Sequence, residues 1–259
     1  MIPDLIEMVV DAGVAVGPLY PVDSGRPGVC SCFRGEECPS PAKHPLVRNG
    51  KDGFTTDLAT VAWWAQSYPG CNWGGRPPET VFILDVDPRN GGYDSLAKIE
   101  AEHGPLPKTL TARTGGGGLH LWFTGESRRG KLGDDYPGID IKTNKGYVVL
   151  PPSVHASGGL YEWLDIRAAE YAPQWLHEAL NPPVTHVRVG RHVNPASLIR
   201  YVSEAREERN NRLFWAACRI AEQGGDPFIL REAAEACGLD PSEYEKTLRS
   251  AAKTYGLVS

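Results

Sequence analysis

No run of about 18 apolar residues occurs anywhere in the 259-residue chain, so nothing in it reads as a membrane span. The segment 1–11 lacks the basic start and long apolar stretch of a signal peptide. Net positive charge is also missing. Lys+Arg 27 against Asp+Glu 32 leaves the chain at −5, which excludes a protein that grips polyanions with its whole surface. Any nucleic-acid contact must use local basic patches. There is no G-x-x-x-x-G-K-[ST] sequence, so no P-loop ATPase is expected within this chain. No internal repeat is present, and Gly115–Gly118 is the one low-complexity run.

What is abundant points to loops. Gly 29 and Pro 22 imply many turns. Of the six cysteines, Cys30, Cys32 and Cys38 crowd together, while Cys71, Cys218 and Cys237 stand alone. A disulfide framework would spread its pairs through a short secreted chain. This distribution instead suits a reducing, cytoplasmic setting with a local metal site. His44 follows six positions after Cys38, and three thiolates with one imidazole suit a closed tetrahedral zinc centre. The spacing C-x-C-x5-C-x5-H is tighter than in common zinc fingers, and reduced surface thiols are the other reading. Lys43 and Arg48 beside this loop read as contacts to a template or triphosphate, or as solvated cations.

The pattern along the chain is α+β first and all-α second. A helix is expected at 3–12 and a strand at 14–20. A Gly/Pro/Cys-rich loop follows at 21–53, then a helix N-capped by Thr56 or Asp57 and running through Trp64. Strands are expected at 81–86, 109–113, 119–123, 139–142, 147–150 and 160–163, and helices at 92–103 and 173–180. Residues 181–194 read as a linker. It divides a catalytic domain over 1–185, with its metal loop at about 28–46, from a small helical domain over 195–259. The pair Trp63 and Trp64 could stack on bases, although on a helix one of the two belongs to the core.

Asp85 and Asp87 stand at i and i+2 at the end of an apolar strand, so both project from one face. They read either as hard ligands for Mg²⁺ or Mn²⁺ or as acids pointing into water. Asp140, between two isoleucines in another short strand, is a third candidate. Three such carboxylates suit a two-metal phosphoryl-transfer centre. His120 follows a glycine turn (Thr114-Gly115-Gly116-Gly117-Gly118) whose backbone can approach a phosphate closely.

These residues, taken in order, carry a resemblance. Leu84-Asp85-Val86-Asp87-Pro88 is followed by Gly91-Gly92 and by Leu106-Pro107-Lys108-Thr109. Arg113-Thr114-Gly115-Gly116-Gly117-Gly118-Leu119-His120 comes next. Ile139-Asp140-Ile141-Lys142 and Gly146-Tyr147-Val148-Val149-Leu150-Pro151-Pro152-Ser153 close the set. The set resembles the bifunctional DNA primase/polymerase (prim-pol) family of phages, plasmids and mobile elements, within the archaeo-eukaryotic primase superfamily. The likeness covers roughly residues 5–180.

The resemblance implies a catalytic core with an RRM-like module and template-directed nucleotidyl transfer on single-stranded DNA with Mg²⁺ or Mn²⁺. It assigns Asp85, Asp87 and Asp140 to the catalytic metal and His120 to the nucleotide phosphates. Lys142, Thr114, Gly116 and Gly117 join the nucleotide site, and Cys30, Cys32, Cys38 and His44 hold structural Zn²⁺. Many relatives carry Ser or Thr two residues before the histidine, where this chain has Gly118. Relatives are often fused to a helicase, which here would be a separate partner. For DNA, Arg128, Arg129 and Lys131 are candidates in the core, and Arg206, Arg209 and Arg212, with Arg200, in the helical tail, whose upstream stretch also carries Arg188, Arg191 and His192. The alternatives in other classes are a metal-dependent nuclease or phosphoesterase built on the same acids, and a non-catalytic zinc-bearing DNA-binding module.

Overall fold

Short β-branched and aromatic runs build the sheets, and capped amphipathic segments build the helices around them. The computed structural model describes residues 3–182 and 194–257. The linker expected at 181–194, with Arg188, Arg191 and His192, falls almost wholly outside the described residues. The chain forms two compact units, Met1–Pro183 and Val184–Ser259. No helix among the described residues is long and apolar enough to cross a membrane.

The first unit runs α1 (Asp4–Asp11), β1 (Ala15–Leu19), α2 (Leu58–Ser67), β2 (Asn72–Arg76), β3 (Val81–Val86), α3 (Gly92–His103) and β4 (Thr111–Arg113). It continues through β5 (Leu119–Thr124), β6 (Ile139–Lys142), β7 (Val148–Leu150), β8 (Ser153–Val154), β9 (Leu160–Asp165), β10 (Glu170–Tyr171) and α4 (Gln174–Leu180). Seven strands form the main sheet in the order β6-β3-β5-β4-β9-β8, with β10 pairing parallel to β5; β1-β2-β7 form a smaller antiparallel sheet.

The main sheet separates two cores. Phe82, Leu84, Val86, Phe123, Ile139 and Ile141 point to one side, where they meet Ile99 of α3 and Leu176 and Leu180 of α4. Ile83 and Trp122 point to the other and meet α1, α2, Trp73 of β2, and Val148 and Leu150 of β7. Each fully buried aliphatic side chain here contributes about 1.5–3 kcal/mol. A one-residue slip of β3 would exchange these sets, so burial on both faces pins its register. That register decides what stands beside Asp85.

Two differences from the sequence reading have clear causes. The strand β2 (Asn72-Trp73-Gly74-Gly75-Arg76) was not among the expected elements, since its two glycines weaken a strand pattern. Its glycines answer to packing instead: a Cβ on Gly74 would lie 2.9 Å from the Phe54 ring, and one on Gly75 2.7 Å from the Leu150 side chain. The helix α2 is capped by Asp57 as expected but extends to Ser67. Of its tryptophans, Trp64 is core at 6% exposure and Trp63 is 57% exposed.

The second unit is all-α: α5 (Pro195–Ser203), α6 (Arg209–Glu222), α7 (Arg231–Ala236) and α8 (Pro241–Thr254). Its core is its own, with Leu198, Val202, Leu213, Ile220, Leu230, Tyr244 and Leu248 buried together.

Candidate active site and metal centre

Strand pairing brings the candidate residues together from distant parts of the chain. In the main sheet Asp85 of β3 lies opposite His120 of β5 on one side and Asp140 of β6 on the other. The three side chains therefore share one face. Ile139 and Ile141 are buried on the opposite face, which leaves Asp140 pointing away from them. Asp87 is not a strand residue, contrary to the i, i+2 expectation. Strand β3 stops at Val86, and Asp87 caps the 3-10 turn Pro88–Asn90 by accepting from the Arg89 N–H. Both Asp85 and Asp87 nonetheless line one cavity of about 330 Å³.

The acids are not bare. The ammonium of Lys142 lies 2.8 Å from Asp140 Oδ2 and 3.5 Å from Asp85 Oδ2. Burial works against its charge, but the two carboxylates outweigh that and raise its pKa. Lys142 is thus ion-paired with both acids of the pair. The Asp87 carboxylate accepts from Arg89 Nε at 3.0 Å, Arg89 Nη2 at 2.9 Å and Asn90 Nδ2 at 2.9 Å. The Arg89 bonds hold its pKa below the usual carboxylate range.

His120 is buried, with Nε2 3.6 Å from Asp85 Oδ1 and Nδ1 lacking any hydrogen-bond partner. Burial lowers its pKa, with Lys142 and Lys43 acting in the same direction against the pull of Asp85. It is therefore a neutral imidazole at neutral pH, with an orphaned polar atom beside the cavity.

The glycine turn closes tightly. Thr114 N–H donates to the Gly118 carbonyl, Gly117 N–H to the Thr114 carbonyl, and Gly118 N–H to Thr114 Oγ1. Thr114 and Gly116 line the cavity, Gly117 takes a φ of +84°, and its carbonyl accepts from Tyr93 Oη at 2.7 Å. A Cβ on Gly118 would overlap the Val86 carbonyl oxygen and sit 3.0 Å from Pro88 Cδ. A side chain at this position would therefore require the turn to shift away from β3.

Several cavity residues were not singled out as site residues from the sequence: Ser40, Arg89, Tyr147, His155 and Tyr161. Lys43, noted only as a cation beside the metal loop, lines the cavity too. The available signals were weak: Arg89 directly follows Asp87-Pro88, and His155 follows Pro151-Pro152-Ser153-Val154. Burial, then Lys43 and Arg89, lower the pKa of His155.

The cysteine loop forms a second centre. Among the described residues, Cys30, Cys32, Cys38 and His44 are the one group of three or more ligand-type side chains whose donor atoms all lie within 4.8 Å of one another. The three aspartates form no such group. Cys30 Sγ is 3.4 Å from His44 Nε2, and the His44 ring stacks on Tyr20 at 4.5 Å. Burial pushes the Cys38 thiol up to about 11; at Cys32 burial is outweighed by the N–H groups of Arg34 and Gly35 and by the other thiols, and its pKa falls. Burial keeps His44 neutral. Three buried sulfurs and a neutral imidazole converging on one point fit a tetrahedral structural zinc.

The basic candidates divide. Arg128, Arg129 and Lys131 are exposed, on a loop whose Lys131 backbone bridges to Asp140. In the helical unit Arg209 donates to the Cys237 and Gly238 carbonyls at 3.0 and 3.1 Å and so caps α7. Arg212 lies over the Tyr201 ring at 5.2 Å, and Arg206 is exposed.

The family model described as bifunctional DNA primase/polymerase, N-terminal, matches residues 7–175. None of the curated proteins compared with the chain matches it. Among solved structures, one similar chain is described as the crystal structure of primase RepB′. It shares 14% identity, covers 78% of this chain and 85% of its own, and has a TM-score of 0.33. With more than half its length matched by the family model, this chain belongs to the bifunctional DNA primase/polymerase (prim-pol) family.

Proposed function

We propose that the first unit carries out template-directed nucleotidyl transfer, synthesising or extending DNA on a single-stranded template during replication of a phage, plasmid or other mobile element. The observation that carries this reading is the register Asp85↔Asp140 beside a cavity walled by Lys43, Arg89 and the glycine turn. Two carboxylates set side by side on one sheet face, with a half-buried lysine drawn in between them, are a donor set that gathers positive charge. They fit a hard divalent cation. Mg²⁺ or Mn²⁺ held by Asp85 and Asp140, with Asp87 completing the set, would neutralise the oxygens between which the phosphoryl group moves.

The chain's own groups do the rest. A 3′-hydroxyl oxygen bonds to the α-phosphorus while the bridging α–β bond breaks, pyrophosphate leaves, and the hydroxyl proton passes to solvent. Arg89 is exposed and turns from Asp87 to the triphosphate, which frees the Asp87 oxygens. Gly116 has no backbone acceptor for its N–H and offers it at the cavity wall. The neutral His120, its Nε2 3.6 Å from Asp85 Oδ1 and lining the same cavity, offers its one N–H to the triphosphate. Such positioning and charge neutralisation supply the rate enhancement. The zinc-loaded loop, the exposed Arg128–Lys131 loop and Arg206 of the tail complete the reading as phosphate-tracking elements for template DNA.

The test incubates the full chain with single-stranded template, dNTPs and Mn²⁺. A new polymer supports the proposal, a degraded template replaces it with a nuclease, and a gel shift alone replaces it with a binding module. Asp85→Asn and Asp140→Asn should each abolish incorporation, and wild-type rates in either would end the assignment.

A further inference from the structure

The metal loop and the cavity share a wall. Cys38 and His44, two of the four zinc-type ligands, bracket a five-residue segment, and two residues inside that bracket, Ser40 and Lys43, line the cavity that also holds Asp85 and Asp87. The segment is held from the protein side as well. The buried Asn72 donates through Nδ2 to the Ala42 carbonyl at 2.8 Å, and Tyr147 Oη donates to the Lys43 carbonyl at 2.8 Å. Beyond the bracket, Tyr20 N–H donates to the His44 carbonyl and Leu46 N–H to that of Pro18. Lys43 is thus a half-buried cation whose backbone is clamped on one side by the smaller sheet and on the other by the residue that would ligate zinc.

Its charge has no fixed partner among the described residues. Arg89 is paired with Asp87, and Lys142 with Asp140 and Asp85. No carboxylate lies within 4.0 Å of Lys43 Nζ, although Asp85 and Asp87 are near enough to act on its charge. An uncommitted ammonium held in a cavity wall is suited to an anion that enters from solution.

We infer that the zinc loop is a positioning device for the nucleotide site: metal at Cys30, Cys32, Cys38 and His44 sets Lys43 in the cavity, and Lys43 binds the incoming triphosphate. The inference rests on the proposed nucleotidyl-transfer reading and deepens it. Without the metal, the 38–44 bracket loses its side-chain anchors at both ends, and the lysine is restrained by the Asn72 and Tyr147 hydrogen bonds and the backbone pairing at His44 and Leu46 alone. Ser40 leaves the wall with it.

The experiment titrates fluorescently labelled dATP into the full chain with Mg²⁺, follows anisotropy, and measures zinc on the same samples. Lys43→Ala should weaken dATP binding about tenfold or more while zinc stays at one per chain, as expected for loss of a charge-assisted contact. Lys43→Arg should recover most of the affinity. Cys38→Ser should lose zinc and weaken binding to a similar degree, with circular dichroism and melting confirming that the sheets persist. Adding Lys43→Ala to Cys38→Ser should then cost little more, because both act through one contact. Unchanged affinity in Lys43→Ala overturns the role of the lysine. Zinc-free protein that binds dATP as tightly as the loaded form overturns the coupling. A wild-type chain that holds zinc but binds no dATP overturns the nucleotide-site reading itself, and this inference with it.

Discussion

Replacing the glycines of the Thr114–Gly118 turn by alanine, one at a time, should produce a graded loss of stability whose order follows from the surroundings of each Cα. At Gly116 the nearest atoms to an added Cβ are 3.9 Å away, an ordinary contact, so the cost should stay within about 0.5 kcal/mol. At Gly117 there is open space but a φ of +84°, so the cost is backbone strain of about 1–2 kcal/mol. At Gly115 the Cβ would lie 2.5 Å from His155 Cβ and overlap the Gly159 carbonyl, and at Gly118 it would overlap the Val86 carbonyl. Both involve backbone, which cannot rotate away, so each should cost about 1–3 kcal/mol or more. For a unit of this size, that is a drop in melting temperature of roughly 3–10 °C. Six of the seven tryptophans lie in the first unit, so tryptophan fluorescence during urea or thermal unfolding reports on it. The expected order of stability is Gly116→Ala, then Gly117→Ala, then Gly115→Ala and Gly118→Ala together. A Gly118→Ala protein as stable as Gly116→Ala would refute the close approach of the turn to β3.

Elemental analysis of chain purified without chelator should find one zinc, and the double substitution Cys30→Ser/Cys38→Ser should abolish it; an unchanged zinc content would rule out the cluster. Asp57 caps α2 through the Ala59 and Thr60 N–H groups and Thr60 Oγ1, and the Thr60 bonds lower its pKa from 3.8. With the folded value below the unfolded one, its stabilisation is full above the unfolded pKa and is lost as pH falls through the folded one. Asp57→Ala should therefore melt a few degrees below wild type at pH 7, and the gap should narrow progressively as pH is lowered beneath 3.8; a gap that stays constant with falling pH would contradict the cap. The helical unit has its own core, so residues 194–259 expressed alone should show helical circular dichroism and a cooperative melt, whereas a featureless spectrum would mean that this core needs the rest of the chain.

Much of the site was legible in the sequence because its chemistry comes in local patterns. A β-branched run carrying Asp85, a histidine just after four glycines, and an aspartate between isoleucines each declare a strand and a face by period alone, whereas Asp87, read by the same period, caps a turn beyond the strand end. Cys30, Cys32, Cys38 and His44 announce a centre by their density. What no local pattern holds is register. That Asp85 lies opposite both His120 and Asp140, that Lys142 reaches back to Asp85 as well as to Asp140, and that Arg209 caps a helix 28 residues away all depend on pairings between distant segments. The same holds for Gly74 and Gly75, which serve as the flat surface on which Phe54 and Leu150 pack. Lys43 is the clearest case. In the sequence it is a cation beside a cysteine loop, and only when β1, β2 and β7 assemble do Asn72 and Tyr147 carry it to the cavity of the aspartates. Period and composition report which face a residue occupies; which residues share a cavity is decided by burial of both sheet faces at once, a condition that only the assembled chain can satisfy.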